Sequence, residues 1–235
     1  MILSYYDIEL IAENILRDYG YSPESDTPLN VENFAIKHLG LSMVYDRLSV
    51  YGDILGLTTH ADADIIVPYI MYPKTIHAPP NTLLIDTSLL PEYPNDWRQR
   101  GRYRFTVAHE CAHQILFRAE PDERQKSLRQ LEPRPYSARE LNSKSDWCEW
   151  QANALAAALL MPRRKVARLM GVRRLTRYGS KLNRPDDLFF HALLSAFDVS
   201  KTALTKRLLQ LELMFQCSYS DYYDPTDIMG DEQFV

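Results

Sequence analysis

An α+β fold is what this sequence predicts, and three observations predict it. Residues 4–39 repeat apolar side chains at helical spacing, residues 41–86 break into short β-branched or alternating segments, and from residue 104 to 211 the helical period returns. Helices, sheet, then helices is an order that separates the two kinds of element instead of alternating them, which is the α+β arrangement. A chain of 235 residues buries a real core and reads as one domain over residues 1–215 with an appendage at 216–235.

The net charge of −4 and a pI near 5.9 argue against a protein that coats nucleic acid as a whole. Cys111, Cys148 and Cys217 have neither zinc-finger nor secreted-scaffold spacing, so the expected setting is a reducing cytoplasm. Asp7, Glu9 and Glu13 stand where a signal peptide would be basic, and no apolar run approaches the ~20 residues that span a bilayer, so no membrane is expected as a partner.

In chain order, Ile8, Ile11, Ile15 and Leu16 give residues 4–19 one apolar helical face, and Asn30 can cap a second, short helix through Phe34 and Leu39 that Gly40 ends. The segments Leu41–Tyr45, Ile54–Thr59, Ile65–Tyr69 and Thr82–Asp86, separated by Gly, Asp, Pro and Asn, suggest a small, mostly antiparallel sheet packed on the helices. A polar stretch, Asn95–Arg104, follows without legible boundaries.

The run from Arg104 to Phe117 contains His109-Glu110-x-x-His113 among apolar residues at helical spacing. Four residues along a helix turn about 400° and rise about 6 Å, so His109 and His113 project from one face and can share one metal. Glu110 lies beside them as a general base that is not itself a ligand. Phe105, Ala108, Ala112 and Leu116 supply the stripe that buries this helix. A chain with six histidines produces the five-residue pattern by accident about 1% of the time, so the motif favours metal without settling it. Between Arg118 and Asp146 lies a long polar excursion, either a gating flap or a solvated insertion.

A catalytic zinc needs a third protein ligand. A third His six residues after the second is excluded because position 119 is Ala. The segment from Asp146 to Pro162 offers Glu149 on an alanine-rich helix able to approach the first closely, with Asn153 one turn on to orient a ligand through its amide. Two alternatives stand beside that reading. Asp146 and Glu149 also fit an N-terminal capping box, and Cys148 is a competing ligand pointing about 100° away on the same helix.

Taken together, Phe105–His113 and Glu149-x-x-Ala-Asn153 running into Leu159-Leu-Met-Pro162 resemble the ImmA/IrrE family of metallo-endopeptidases. The resemblance spans roughly residues 5–213; it is strong at the two motifs, moderate from Phe197 to Leu211 and weak before Gly56. It implies a zincin-like fold, zinc held by His109, His113 and Glu149, and Glu110 as catalytic acid/base. The implied activity is limited cleavage of a helix-turn-helix transcriptional repressor at a mobile-element or stress-response locus. Cys111 and Ala112, where relatives often carry a small or glycine residue, depart from the pattern and read as tolerated packing.

Pro162 stops the second motif helix, and residues 163–184 then carry nine Lys and Arg without an acid, either a docking patch or a solvated face. Asp186–Phe197 and Ser200–Leu211 form a helical hairpin over 186–213 that resembles a helix-turn-helix, and packing is favoured over DNA reading. From 216 the chain is acidic and aperiodic, as a mobile tail would be. His191, Tyr103 and Tyr178 are the weak candidates for an oxyanion partner. The competing expectation is a non-catalytic DNA- or repressor-binding module with a vestigial or structural metal site.

Overall fold

The computed structural model describes residues 2–68, 72–90, 97–122, 125, 136–137, 139, 146–179, 181–182 and 184–218. The first helix, α1 (Tyr5–Tyr19), starts where Ser4 and Asp7 close a capping box, the Ser4 hydroxyl accepting the Asp7 amide at 3.2 Å while the Asp7 carboxylate accepts the Ser4 amide at 2.9 Å. It stops at Gly20, whose φ of 82° suits the left-handed cap. Asn30 caps α2 (Val31–Asn33), which widens into a π turn over Phe34–His38.

Nine strands follow, among the described residues, in three small sheets: β1 (Ser42–Asp46), β2 (Gly56–Thr58), β3 (Ala63–Val67), β4 (Lys74–Ala78), β5 (Thr82–Asp86), β6 (Tyr136–Ser137), β7 (Leu175–Tyr178), β8 (Lys181–Leu182) and β9 (Met214–Gln216). The α+β class holds, and the expectation of a mostly antiparallel sheet does not. The sheets run β1-β5-β2, β4-β3-β6 and β8-β7-β9, each with one parallel and one antiparallel pair. Parallel pairing needs a long crossover, and the parallel partners β1 and β5, β3 and β6, and β7 and β9 are all far apart in sequence. β5 is central and buried along its length, whereas β2 is an edge strand lying against the helical layer.

The helix of the first motif, α3 (Trp97–Arg118), is longer than expected, because it takes in most of the polar stretch that precedes it. Within that stretch Arg100 and Arg102 are exposed while Gly101, Tyr103 and Arg104 are buried, so its polarity is a surface stripe and not a loop. Packed along α3 is α4 (Asp146–Leu160), whose Ala152, Ala156 and Ala158 are fully buried and permit close approach. Pro162 heads α5 (Arg163–Met170), and α6 (Arg184–Phe197) and α7 (Lys201–Gln210) form the C-terminal hairpin, with Ser200 capping α7 through the Ala203 amide at 3.2 Å. One large core joins α1, α3, α4 and the hairpin, and a smaller one around Leu57, Ile65 and Leu84 lies within the strands.

The hairpin is packed, not projecting. Arg104 donates to the Asp198 and Leu29 carbonyls at 2.9 and 2.8 Å, and Arg207, fully buried on α7, binds Glu9 of α1 at 2.9 Å and the Met161 carbonyl at 3.0 Å. Several charges of the basic stretch are also engaged: Lys165 is buried and bonded to Tyr21 and the Thr27 carbonyl, Arg164 pairs with Glu13, Arg168 with Asp26, and Arg173 covers the Phe189 ring. No described helix is long and apolar enough to cross a membrane. The excursion after Arg118 and the C-terminal tail lie largely or wholly outside the described residues beyond 122 and 218.

Candidate metal centre

α3 and α4 each bring functional side chains to one point. His109 and His113 leave α3 one turn apart with their rings nearly perpendicular, 88° between planes, and their Nε2 atoms 3.0 Å apart. Glu149 reaches them from the first turns of α4, Oε2 lying 3.2 Å from the His109 Nε2 and Oε1 3.2 Å from the His113 Nε2. Among the described residues these three form the only group of His, Cys, Asp and Glu with metal-ligand spacing. Tetrahedral bonds of about 2.0–2.1 Å set ligand atoms about 3.3 Å apart, so the observed separations suit one small cation. Cys148 is not in the group, as its neighbouring helix phase requires.

The electrostatics follow from that crowding. The imidazoles of His109 and then His113, each 3.2 Å away, hold the Glu149 carboxyl well below the usual range, against the opposing effect of burial. A group that stays anionic beside two imidazoles is a ready cation ligand. Cys111, on the buried side of α3, has its thiol pushed far up by burial and then by Glu110, so it remains a protonated packing residue.

Glu110 is 3% exposed, and its Oε2 has no hydrogen-bond partner among the described residues; the same is true of the His109 Nδ1. A buried carboxylate oxygen left open is costly unless something else uses it. The carboxylate lies against β2, where a Cβ on Gly56 would come within 2.8 Å of both the Glu110 Cγ and Oε1. One turn further on, the buried Gln114 amide donates to the Thr58 hydroxyl at 2.7 Å and the Thr59 carbonyl at 2.9 Å, tying α3 to the same strand. Neither Gly56 nor Gln114 stood out in the sequence, although a Gln inside an otherwise apolar helical run is a readable sign of a buried polar tie.

Asn153 lies on the exposed side of α4, one turn from Glu149, with no hydrogen bond to either histidine. Of the weak oxyanion candidates, Tyr103 donates its hydroxyl to Glu32 at 2.6 Å, His191 pairs with Asp187 at 3.8 Å on α6, and Tyr178 is exposed on β7. Tyr103 and His191 are thus engaged with carboxylates of their own. The Asp146 side chain, the other half of the capping-box alternative, lies outside the described residues.

The model of the IrrE N-terminal-like domain, a peptidase family, matches residues 94–209, a span that contains α3, α4 and the hairpin. Residues 94–209 belong to this ImmA/IrrE family. No curated protein matches it. Membership makes the domain a zincin-like metallopeptidase domain, with protein as its substrate class. The three-residue cluster of this IrrE-like domain lies inside the matched span, and its geometry can hold a metal ion.

Proposed function

We propose that the protein is a zinc endopeptidase of the cytoplasm that performs limited proteolysis, with His109, His113 and Glu149 as the metal ligands. The observation that carries this reading is the convergence of two imidazole nitrogens and one carboxylate within 4.8 Å, beside a buried glutamate with an open oxygen. Three protein ligands leave a coordination position for substrate or water, whereas a structural zinc is closed by four. When bound, zinc lowers the pKa of a water to about 7 and polarises the scissile carbonyl. Glu110 takes the proton of the attacking water on its open carboxylate oxygen and later delivers it to the leaving amine nitrogen. Gly56 leaves room for that carboxylate, and the Gln114 tie holds β2 at the right distance from it. Asn153, one turn beyond Glu149, orients a ligand through its amide once the site is filled.

The substrate we propose is a helix-turn-helix repressor, whose cleavage derepresses a mobile-element or stress-response locus. The packed hairpin and the paired arginines of residues 163–184 weigh against a role in DNA reading. Purified protein is expected to carry about one zinc per chain and to cut a repressor encoded beside it at one site. Glu110→Gln should retain the metal and abolish the cut. Cleavage that survives in that variant overturns the mechanism, and broad digestion of casein with the repressor left intact overturns the regulatory role.

A further inference from the structure

A cavity of about 670 Å³ opens between α1, α3, α4 and α7, one helical turn from the candidate metal centre. Tyr5, Leu55, Phe105, Trp150 and Leu209 give it an apolar wall drawn from α1, the approach to β2, α3, α4 and α7. Tyr5 meets Trp150 edge-on at 4.7 Å between centroids, and Trp147 stacks on the same ring at 4.8 Å. Tyr5 and Leu209 remain 47% and 39% exposed, so this wall faces solvent instead of closing into the core. The charge at its rim is of one sign. Arg102 and Lys206 line it, no Asp or Glu does, and neither cation forms an ion pair among the described residues.

The cavity shares its two helices with the proposed active site, and its lining reaches within one turn of it on each. Thr106 precedes Glu110 by one helical turn and Asn153 follows Glu149 by one, so its inner end lies about 6 Å along the helices from the reacting groups. Arg102, two turns before Glu110, lies about 12 Å away along the same axis. An extended peptide advances about 3.3 Å per residue, so the cavity meets a side chain within two residues of the cleaved bond and the cations meet those beyond it.

We propose that this cavity selects the substrate, taking a large aliphatic or aromatic side chain one or two residues from the cleaved bond, with Arg102 and Lys206 drawing carboxylates on the residues beyond. The proposal rests on the peptidase reading of the metal centre. Burying one large apolar side chain is worth about tenfold to a hundredfold in affinity. An exposed ion pair is worth about a few-fold, so reversing both cations changes the preference by about tenfold and the preference fades as salt rises.

The test uses the full chain carrying Glu110→Gln and a labelled ten-residue peptide, a phenylalanine followed by three aspartates in a serine and glycine background. Its binding is followed by fluorescence anisotropy against the same peptide with lysines in place of the aspartates. The acidic peptide is expected to bind at least tenfold more tightly, the preference to vanish or invert when Arg102→Glu and Lys206→Glu are added, and Ala157→Trp to weaken binding by filling the cavity. Equal binding of the two peptides, or a preference untouched by the double reversal, overturns the proposal. In parallel, zinc-loaded wild type is given a mixed peptide library and its cut sites are read by mass spectrometry. Cuts without an apolar and acidic pattern overturn the cavity proposal and leave the peptidase intact. The expected binding preference without any cut supports the cavity as an acidic-peptide site and makes the peptidase reading the one that fails.

Discussion

Two sets of buried polar groups sit in the same helical layer and are treated in opposite ways. At the end where α1, α5 and α7 meet, Arg207 has Glu9 and the Met161 carbonyl, Lys165 has Tyr21 and the Thr27 carbonyl, and each charge is bonded where it is buried. At the candidate metal centre, two imidazoles and a carboxylate crowd one point, and the Glu110 Oε2 and His109 Nδ1 are left without partners among the described residues. The charges that clamp α1, α5 and α7 are closed off, because an unpaired buried group costs about 1–3 kcal/mol. On the peptidase reading, polarity at the candidate centre is kept open for what will arrive.

Substitutions at the two ends should therefore fail differently. The largest effect is expected from Glu110→Gln, which should lower peptide cleavage by about 10²–10⁴-fold with zinc content and melting temperature unchanged; a parallel loss of stability would move Glu110 into the structural set. At the other end, Arg207→Ala leaves Glu9 buried without a cation and should cost about 3–5 kcal/mol in denaturant unfolding. A loss under 1 kcal/mol there would erase the distinction. Glu149→Ala should weaken zinc binding in a chelator titration by more than the roughly 10–100-fold attached to an outer partner of a ligand, while Cys148→Ala should leave it unchanged. The reverse order would make the thiolate the ligand. The smallest of the four is Gly56→Ala, whose Cβ would meet Glu110 and Thr106 at 2.8 Å; about tenfold loss of cleavage with metal retained is expected from the displaced base.

The candidate site was readable because each half of it is local. His109 and His113 share a helix face by spacing alone, and the alanines of α4 announce a helix that can come close. The choice between Glu149 and Cys148 depended on which face of α4 meets α3, a tertiary fact, and family resemblance carried more of it than spacing did. The class α+β came from the order of patterns, whereas the mixed pairing of the sheets did not. Strands such as β6 and β8 are two residues long, and their places are set by partners far along the chain. The start of α3 was missed for a different reason: Arg100 and Arg104 look like loop polarity until Asp198 is seen opposite them. The cavity was invisible for the strongest reason, since its walls come from four helices and one loop.

The bond between Glu9 and Arg207 joins residues 198 positions apart, and it locks α1 and α7 onto the α4 layer that carries Glu149. A ribosome delivering this chain therefore exposes α3 and α4 well before the cation that Glu9 needs has been made. Contacts of such long sequence separation form late in folding. On the peptidase reading the nascent chain is thus disarmed by its own order of synthesis: an unfinished chain has the candidate ligands but not the clamp that steadies them. Stalled chains ending before residue 207 should accordingly bind zinc weakly and yield quickly to pulse proteolysis, and full-length chains should do neither.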